Sequence, residues 1–141
     1  MNTLGLLVAV TRGNMTIVMA AMVEAKTLLE LLATASLARQ DVERRSLWHE
    51  LSERCNASLL PRPNTSDATL LAFAAASAEM LAEQQGVLPP AWTATVGAIP
   101  GEPLYLDSRN TALGRKRLAD ESPEPLRSRG FYASAKYVSF V

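Results

Sequence analysis

Apolar residues recur along the first 85 positions of the chain with spacings that predict three helices. Between residues 16 and 37 they fall three and four positions apart, which places them on one face of a helix. The same spacing returns in residues 41–54, where Asp41 suits the first turn of a helix. Val42 and Trp48 are expected on the apolar face of this helix and Arg44 on its charged outer face. A third run follows the proline-rich breaker at residues 61–63 and reaches residue 85. This part of the chain is therefore expected to form a helical body.

The third helix has the clearest signals at its ends. Asn64, Thr65 or Ser66 is expected to cap its N-terminus, because short polar side chains accept hydrogen bonds from the first backbone amides of a helix. Gly86 is expected to end it as a left-handed C-cap residue. Alanines are frequent in its middle, and such small residues permit a close approach of neighbouring helices.

Beyond the third helix the pattern changes, because prolines prevent a long helix. Residues 104–106 are expected to form a short strand or an apolar clip. A short helix is expected to begin at Ser108 or Asn110 and to end at Ala119, and Pro123 and Pro125 are expected to break it. Alternating side chains in residues 131–141 indicate extended chain.

These elements predict an all-α protein of three main helices with a proline-punctuated, partly extended C-terminal arm. Residues 1–14 are expected to form a poorly structured N-terminal extension, residues 15–86 the helical body, and residues 87–141 the arm with its one short helix. The length of 141 residues suits one modest core. No apolar run reaches the roughly 18 residues of a membrane span, so no membrane partner is expected.

The chain has no net charge, but its charged residues are unevenly distributed. Residues 1–108 hold seven basic and eleven acidic side chains, a balance of −4, whereas residues 109–141 hold seven basic and three acidic ones, a balance of +4. A chain of zero net charge has no global field that attracts nucleic acid or a membrane. The sequence thus predicts an acidic body with a basic arm.

Few of the chemical groups that an enzyme needs are present. Cys55 and His49 are the only residues of their types, and six positions apart they face different directions on a helix. One cysteine excludes an internal disulfide and a cysteine-based zinc site, and no phosphate-binding loop or nucleophile motif occurs. We therefore expect no catalytic residue, no metal ligand and no cofactor. The single cysteine suits a reducing cytoplasm.

Three consecutive cations, Arg115, Lys116 and Arg117, raise the question of nucleic-acid binding. A solvated helix face beside an acidic pair explains them as well. DNA recognition would need a helix with basic or amide side chains aimed at base edges. Residues 41–54 are balanced in charge and the third helix has no basic residue, so nucleic acid is not expected as a partner.

Two segments of the arm resemble the ending of a family of small bacterial proteins. They are Pro-Pro-Ala-Trp-Thr at residues 89–93 and Glu-Ser-Pro-Glu-Pro-Leu-Arg-Ser-Arg-Gly-Phe at residues 121–131. Members of that family have a helical region, a Pro-Pro-x-Trp segment, a Ser-Pro-x-x-Phe/Leu-Arg-x-Arg-x-Phe/Ile segment and a final apolar stretch. They look like antitoxin-type partners encoded beside nucleotidyltransferase-like toxins. Many also carry an N-terminal helix-turn-helix domain, which is not recognisable in this sequence.

The resemblance implies a binding protein that neutralises a nucleotidyltransferase-like toxin by direct contact, and a homo-oligomer remains a further option. A DNA-binding transcriptional regulator is the alternative. Arginine makes planar, bidentate contacts with carboxylates, and Trp, Tyr and Arg are enriched at interface hot spots. The partner-binding residues expected on these grounds are Trp92, Arg115, Lys116, Arg117, Arg127, Arg129, Phe131, Tyr132 and Lys136.

Within that set, Arg127 and Arg129 are expected to meet acidic groups of the partner at or near its active-site cleft. Phe131 and Tyr132 are expected to fill apolar pockets there. Trp92 and Phe131 have a second interpretation, in which they cover the small helical core instead. The helical body is expected to keep its structure without the two arginines.

Overall fold

The computed structural model describes residues 28–106 and 112–134. Within these ranges the chain is mostly helical and contains one small, two-stranded parallel sheet. The predicted N-terminal extension, the starts of the first helix and of the short helix, and the end of the arm with Lys136 lie outside the described residues. No helix in the two described ranges has the length and apolar character needed to cross a membrane.

Helix α1 covers residues 28–37 and ends where the sequence predicts. The amide of Arg39 donates to the carbonyl oxygen of Ser36 at 3.1 Å, and that of Gln40 donates to Ala35 at 2.9 Å. These bonds form a Schellman motif in which Arg39 is the left-handed residue, with φ of 58°. Glycine is usual at this position, because a side chain in the left-handed region costs about 1 kcal/mol.

Helix α2, Asp41–Arg54, has the bounds that the sequence predicts. Trp48 lies on its buried side, as expected, but Arg44, predicted on the charged outer face, is also buried. Val42, predicted on the apolar face, is 77% exposed. Both predictions were wrong for one reason. Arg44 precedes Trp48 by four positions and shares its face, whereas Val42 precedes it by six and lies about 120° away around the helix.

Helix α3, Ala68–Gln85, begins slightly later than predicted and ends where predicted. Its N-cap is Asp67, whose carboxylate accepts hydrogen bonds from the amides two and three residues further on, at 3.0 and 3.1 Å. The predicted cap at residues 64–66 is therefore wrong. Gly86 has φ of 70°, which confirms the predicted left-handed C-cap.

The middle of α3 is buried on all sides. Every residue from 72 to 78 is buried, and seven consecutive residues make almost two full turns. Five of the seven are alanines, so neighbouring segments can approach the helix backbone from every direction. The alanine-rich sequence thus makes α3 the central helix of the described chain.

Short elements surround this central helix. Strands β1 (Leu104–Tyr105) and β2 (Phe131–Tyr132) pair in parallel, with Leu104 opposite Phe131 and Tyr105 opposite Tyr132. The strand predicted near residues 104–106 and the extended chain predicted from residue 131 are thus confirmed where they are described, and the described chain as a whole is mostly helical. The elements are two 3-10 turns, Ala57–Leu59 and Ala91–Thr95, strands β1 (Leu104–Tyr105) and β2 (Phe131–Tyr132), and helices α4 (Ala112–Glu121) and α5 (Glu124–Arg127).

Helix α5 is an element that the sequence analysis did not predict, because Pro123 and Pro125 were interpreted as breakers. In the structure Pro123 is the N-cap of α5 and Pro125 lies in its first turn. Backbone amides in the first turn of a helix have no partner within the helix, so proline removes no hydrogen bond there. The two prolines therefore start a helix as well as ending α4.

One hydrophobic core contains residues of both the body and the arm. Phe73 and Leu81 of α3 belong to it, together with Leu126 of α5 and Phe131 of β2. The rings of Phe73 and Phe131 meet edge to face, with centroids 5.2 Å apart and an interplanar angle of 81°. This geometry is favourable for aromatic pairs. The arm is thus part of the core that the helices share.

Candidate functional site

The two segments that carry the family resemblance meet at the side chain of Arg129. Its Nε donates to the carbonyl oxygen of Val96 at 3.1 Å, and its Nη2 donates to that of Thr93 at 2.9 Å. Its Nη1 donates to the carbonyl oxygen of Pro125 at 2.9 Å. Both terminal nitrogens also donate to the carboxylate of Glu79 at 2.9 Å, which forms a bidentate ion pair. All five N–H groups of the guanidinium therefore have partners inside the chain.

This network makes Arg129 part of the fold. The residue is only 5% exposed, and its partner Glu79 lies on the central helix α3. The acidic group that Arg129 meets in this structure is thus its own chain's Glu79. The structure also differs from the expectation that the helical body is independent of the arm's arginines, because Arg129 is bonded directly to α3.

Other residues of the same two segments also have internal partners. Phe131 is fully buried, and the Nε1 of Trp92 donates to the carbonyl oxygen of Leu60 at 2.7 Å. Trp92 is half-buried and packs against the core. Trp92 and Phe131 therefore pack on the core, which is the second of the two interpretations that the sequence allowed for them. Their predicted contact with a partner stays a prediction, and the side chain of Phe131 has no exposed surface to offer in this structure.

The outer face of the small sheet holds a pair of tyrosines. Side chains alternate between the two faces along a strand, so Phe131 points into the core while Tyr132 points away from it. Tyr105 lies beside Tyr132 in the register of the sheet, and both are half-buried. Their ring centroids are 5.1 Å apart, with an interplanar angle of 57°.

Two arginines from different parts of the chain contact Tyr105. The guanidinium carbon of Arg115, on α4, lies over the Tyr105 ring at 5.3 Å from its centroid, within cation–π range. The Nη2 of Arg39, from the turn between α1 and α2, donates to the Tyr105 carbonyl oxygen at 2.7 Å. Tyr105, Tyr132, Arg39 and Arg115 together are called the tyrosine platform below.

The arginines of the platform differ from most other arginines of the described chain in having no carboxylate partner. Arg44 pairs with Asp41, Arg54 with Glu50, Arg127 with Glu124, and Arg129 with Glu79. Among residues 28–106 and 112–134, neither Arg39 nor Arg115 forms an ion pair, and both are exposed. The platform thus presents two positive charges that the described residues do not neutralise.

The run of three cations on α4 does not form one patch. Successive residues on a helix point about 100° apart. Leu118 is the buried residue of α4, and Arg115 lies about 60° from it, next to the sheet. Lys116 points almost directly away from Leu118, and Arg117 points to the other flank. Of these three cations, Arg115 is therefore the one that contacts the tyrosine pair.

The remaining predicted site residues lie elsewhere. Arg127 is exposed and forms an ion pair with Glu124 on its own helix, while its Nη1 donates to the carbonyl oxygen of Asp120 at 3.4 Å. Lys136 lies outside the described residues. Within the described ranges, no group of three or more His, Cys, Asp or Glu side chains is placed to hold a metal ion.

Sequence reasoning missed Arg39 and Tyr105 as members of the site. Tyr105 had a usable signal, since the alternation Leu-Tyr-Leu at residues 104–106 puts the tyrosine on the outer face of a strand. Arg39 had none, because its contact with Tyr105 joins residues 66 positions apart in the chain.

Comparison with known proteins identifies no relative. No protein-family model matches the chain, and neither a curated protein nor a solved structure matches it.

Proposed function

We propose that the chain is an antitoxin-like binding protein that acts in the cytoplasm and neutralises a nucleotidyltransferase-like enzyme by direct contact. The observation that supports this proposal best is the tyrosine platform. It places two half-buried tyrosines beside two exposed arginines that have no carboxylate partner among the described residues. Tyrosine and arginine are the residue types that carry binding energy at protein interfaces. The resemblance of the two arm segments to antitoxin-type proteins gives the class of partner.

The chemistry of such an enzyme fits this surface. Nucleotidyl transfer uses divalent metal ions held by carboxylates, so the enzyme has an acidic cleft. Arginine pairs with carboxylates more strongly and more specifically than lysine does. A docked chain would therefore occupy the cleft or its rim and exclude the substrate.

The test uses the nucleotidyltransferase-like protein that this proposal expects to be encoded beside the chain. We expect the two proteins to co-elute from a size-exclusion column, and we expect an equimolar amount of the chain to abolish transfer of labelled nucleotide to the enzyme's acceptor. An equal amount of the heat-denatured chain serves as the negative control. The proposal fails if no such gene lies next to this one, or if the enzyme keeps full activity without forming a complex.

The alternative of a DNA-binding regulator has one observation in its favour. Helices α1 and α2 are joined by only three residues, 38–40, as in many DNA-binding helix pairs. However, the outer side of α2 carries Glu43, Glu50 and Glu53 beside its arginines, and acidic side chains repel the phosphate backbone. We therefore expect no specific shift of the chain's own promoter in a gel-shift assay at physiological salt.

A further inference from the structure

The tyrosine platform has the charge of a surface that receives carboxylates. Arg39 and Arg115 both touch Tyr105, one at its backbone carbonyl and one at its ring. Neither has an acidic partner among the described residues, whereas Arg44, Arg54, Arg127 and Arg129 each form an ion pair within the same ranges. A carboxylate on a partner would supply the ion-pair partner that these two arginines lack among the described residues.

Contacts within the chain hold the side chains of this surface in place. Arg39 keeps a left-handed backbone that glycine would adopt more easily, and its side chain is bonded to Tyr105. Strained backbone of this kind concentrates at functional positions. Tyr105 is in turn fixed by its pairing with Tyr132 and by Arg115. Ordered side chains lose less conformational entropy on binding, which favours affinity.

The geometry favours a protein over single-stranded nucleic acid as the occupant. Nucleic-acid platforms offer open aromatic faces on which bases stack. Here the Tyr105 ring is covered by Arg115 and packed against Tyr132. The other cations of α4, Lys116 and Arg117, point to different sides, so they form no continuous track for a phosphate backbone.

We propose that the tyrosine platform is the surface with which the chain docks on a carboxylate-bearing face of its protein partner. This inference rests on the proposed function and names the residues that carry it. It replaces the buried Arg129 and Phe131 with Arg39, Tyr105, Arg115 and Tyr132 as the centre of the interface.

The decisive comparison is between Arg115→Glu and Lys116→Glu. Both variants change the charge by the same amount on adjacent exposed positions of α4, but only Arg115 contacts the platform. Binding to the neighbouring nucleotidyltransferase-like protein is measured by isothermal titration calorimetry. We expect Arg115→Glu to weaken binding at least about 30-fold and Lys116→Glu less than about 5-fold. Equal losses in the two variants would overturn the proposal.

A second variant, Arg39→Gly, separates binding from folding. Glycine suits the left-handed position, so the melting temperature should stay within a few degrees of the original chain. Loss of the guanidinium should still weaken binding about tenfold. Unchanged binding by this variant would count against the platform.

The outcomes distinguish the two proposals. If the original chain does not bind the enzyme, the proposed function is wrong. If it binds and the Arg115→Glu and Arg39→Gly variants bind equally well, the function stands and the platform is wrong. If these variants instead lose binding to a fluorescent single-stranded oligonucleotide while keeping the enzyme, the platform is a nucleic-acid surface and the inference is overturned.

Discussion

Arg129 and Arg115 belong to the same basic arm but have opposite surroundings. Arg129 is buried, and its five N–H groups are bonded to Glu79 and to three backbone carbonyls. Arg115 is exposed and contacts the ring of a half-buried tyrosine, without a carboxylate partner among the described residues. The comparison shows that residue type alone does not separate an arginine that stabilises the fold from one that is available to a partner.

The aromatic neighbours Phe131 and Tyr132 repeat this contrast within one strand. Phe131 is fully buried against Phe73, whereas Tyr132 lies on the outer face beside Tyr105. Because side chains alternate along β2, a shift of one residue exchanges the two environments. The arm thus has an inner side that completes the core and an outer side that carries the platform.

The largest expected effect comes from the inner side. Phe131→Ala removes a fully buried ring from the shared core and should lower the free energy of unfolding by about 3–5 kcal/mol. Urea unfolding followed by circular dichroism measures this value. Tyr132→Ala is the matched control and should cost less than half as much. Equal losses would mean that the two sides of the strand do not differ as described.

The next effect tests the buried ion pair. Arg129→Ala leaves the Glu79 carboxylate and three carbonyls without their partner, so the unfolding free energy should fall by about 3 kcal/mol. The Glu79 side chain is 23% exposed, and water can solvate part of its charge, which places the loss at the lower end for buried pairs. The double variant Glu79→Ala, Arg129→Ala should recover part of it. A single variant as stable as the original chain would contradict the proposed link between arm and α3.

An intermediate effect is expected at Gly130, which lies between Arg129 and Phe131 in the chain. Its φ is 92°, and an added Cβ would lie 3.0 Å from the Cγ1 of Ile99. Gly130→Ala should therefore cost about 1–3 kcal/mol in unfolding free energy. Gly97→Ala is the control, since an added methyl there meets nothing within 4 Å, and it should change stability by less than about 0.5 kcal/mol. Thermal melts of the two variants should differ clearly, and coinciding melts would refute the strain.

The smallest effect is expected for Arg127→Ala. Arg127 is exposed and paired with Glu124 on the same helix, and such surface pairs contribute less than about 0.5 kcal/mol. The same unfolding measurement as for Arg129→Ala makes the comparison direct, because the two arginines are only two positions apart. If Arg127→Ala lost as much unfolding free energy as Arg129→Ala, exposure would not determine how much each arginine stabilises the fold.

Several features of the fold could be predicted from the sequence alone. The bounds of α2, the ends of α1 and α3, and the C-cap at Gly86 follow from local periodicity and capping, which depend on residues a few positions apart. The cap Asp67 and helix α5 were missed, although their signals are also local. Several short polar residues precede α3, and proline can either end a helix or start one.

The sequence by itself determined the bounds of α2, the C-terminal ends of α1 and α3, and the richness of the arm in arginine and aromatic residues. Tertiary structure alone decided what each of these residues does. Glu79 and Arg129 are 50 positions apart, and Arg39 and Tyr105 are 66 apart. No local rule connects such residues, because their contact depends on how the central helix and the small sheet pack together. Burial in that packing gives Arg129 a structural role and leaves Arg115 exposed on the outer face.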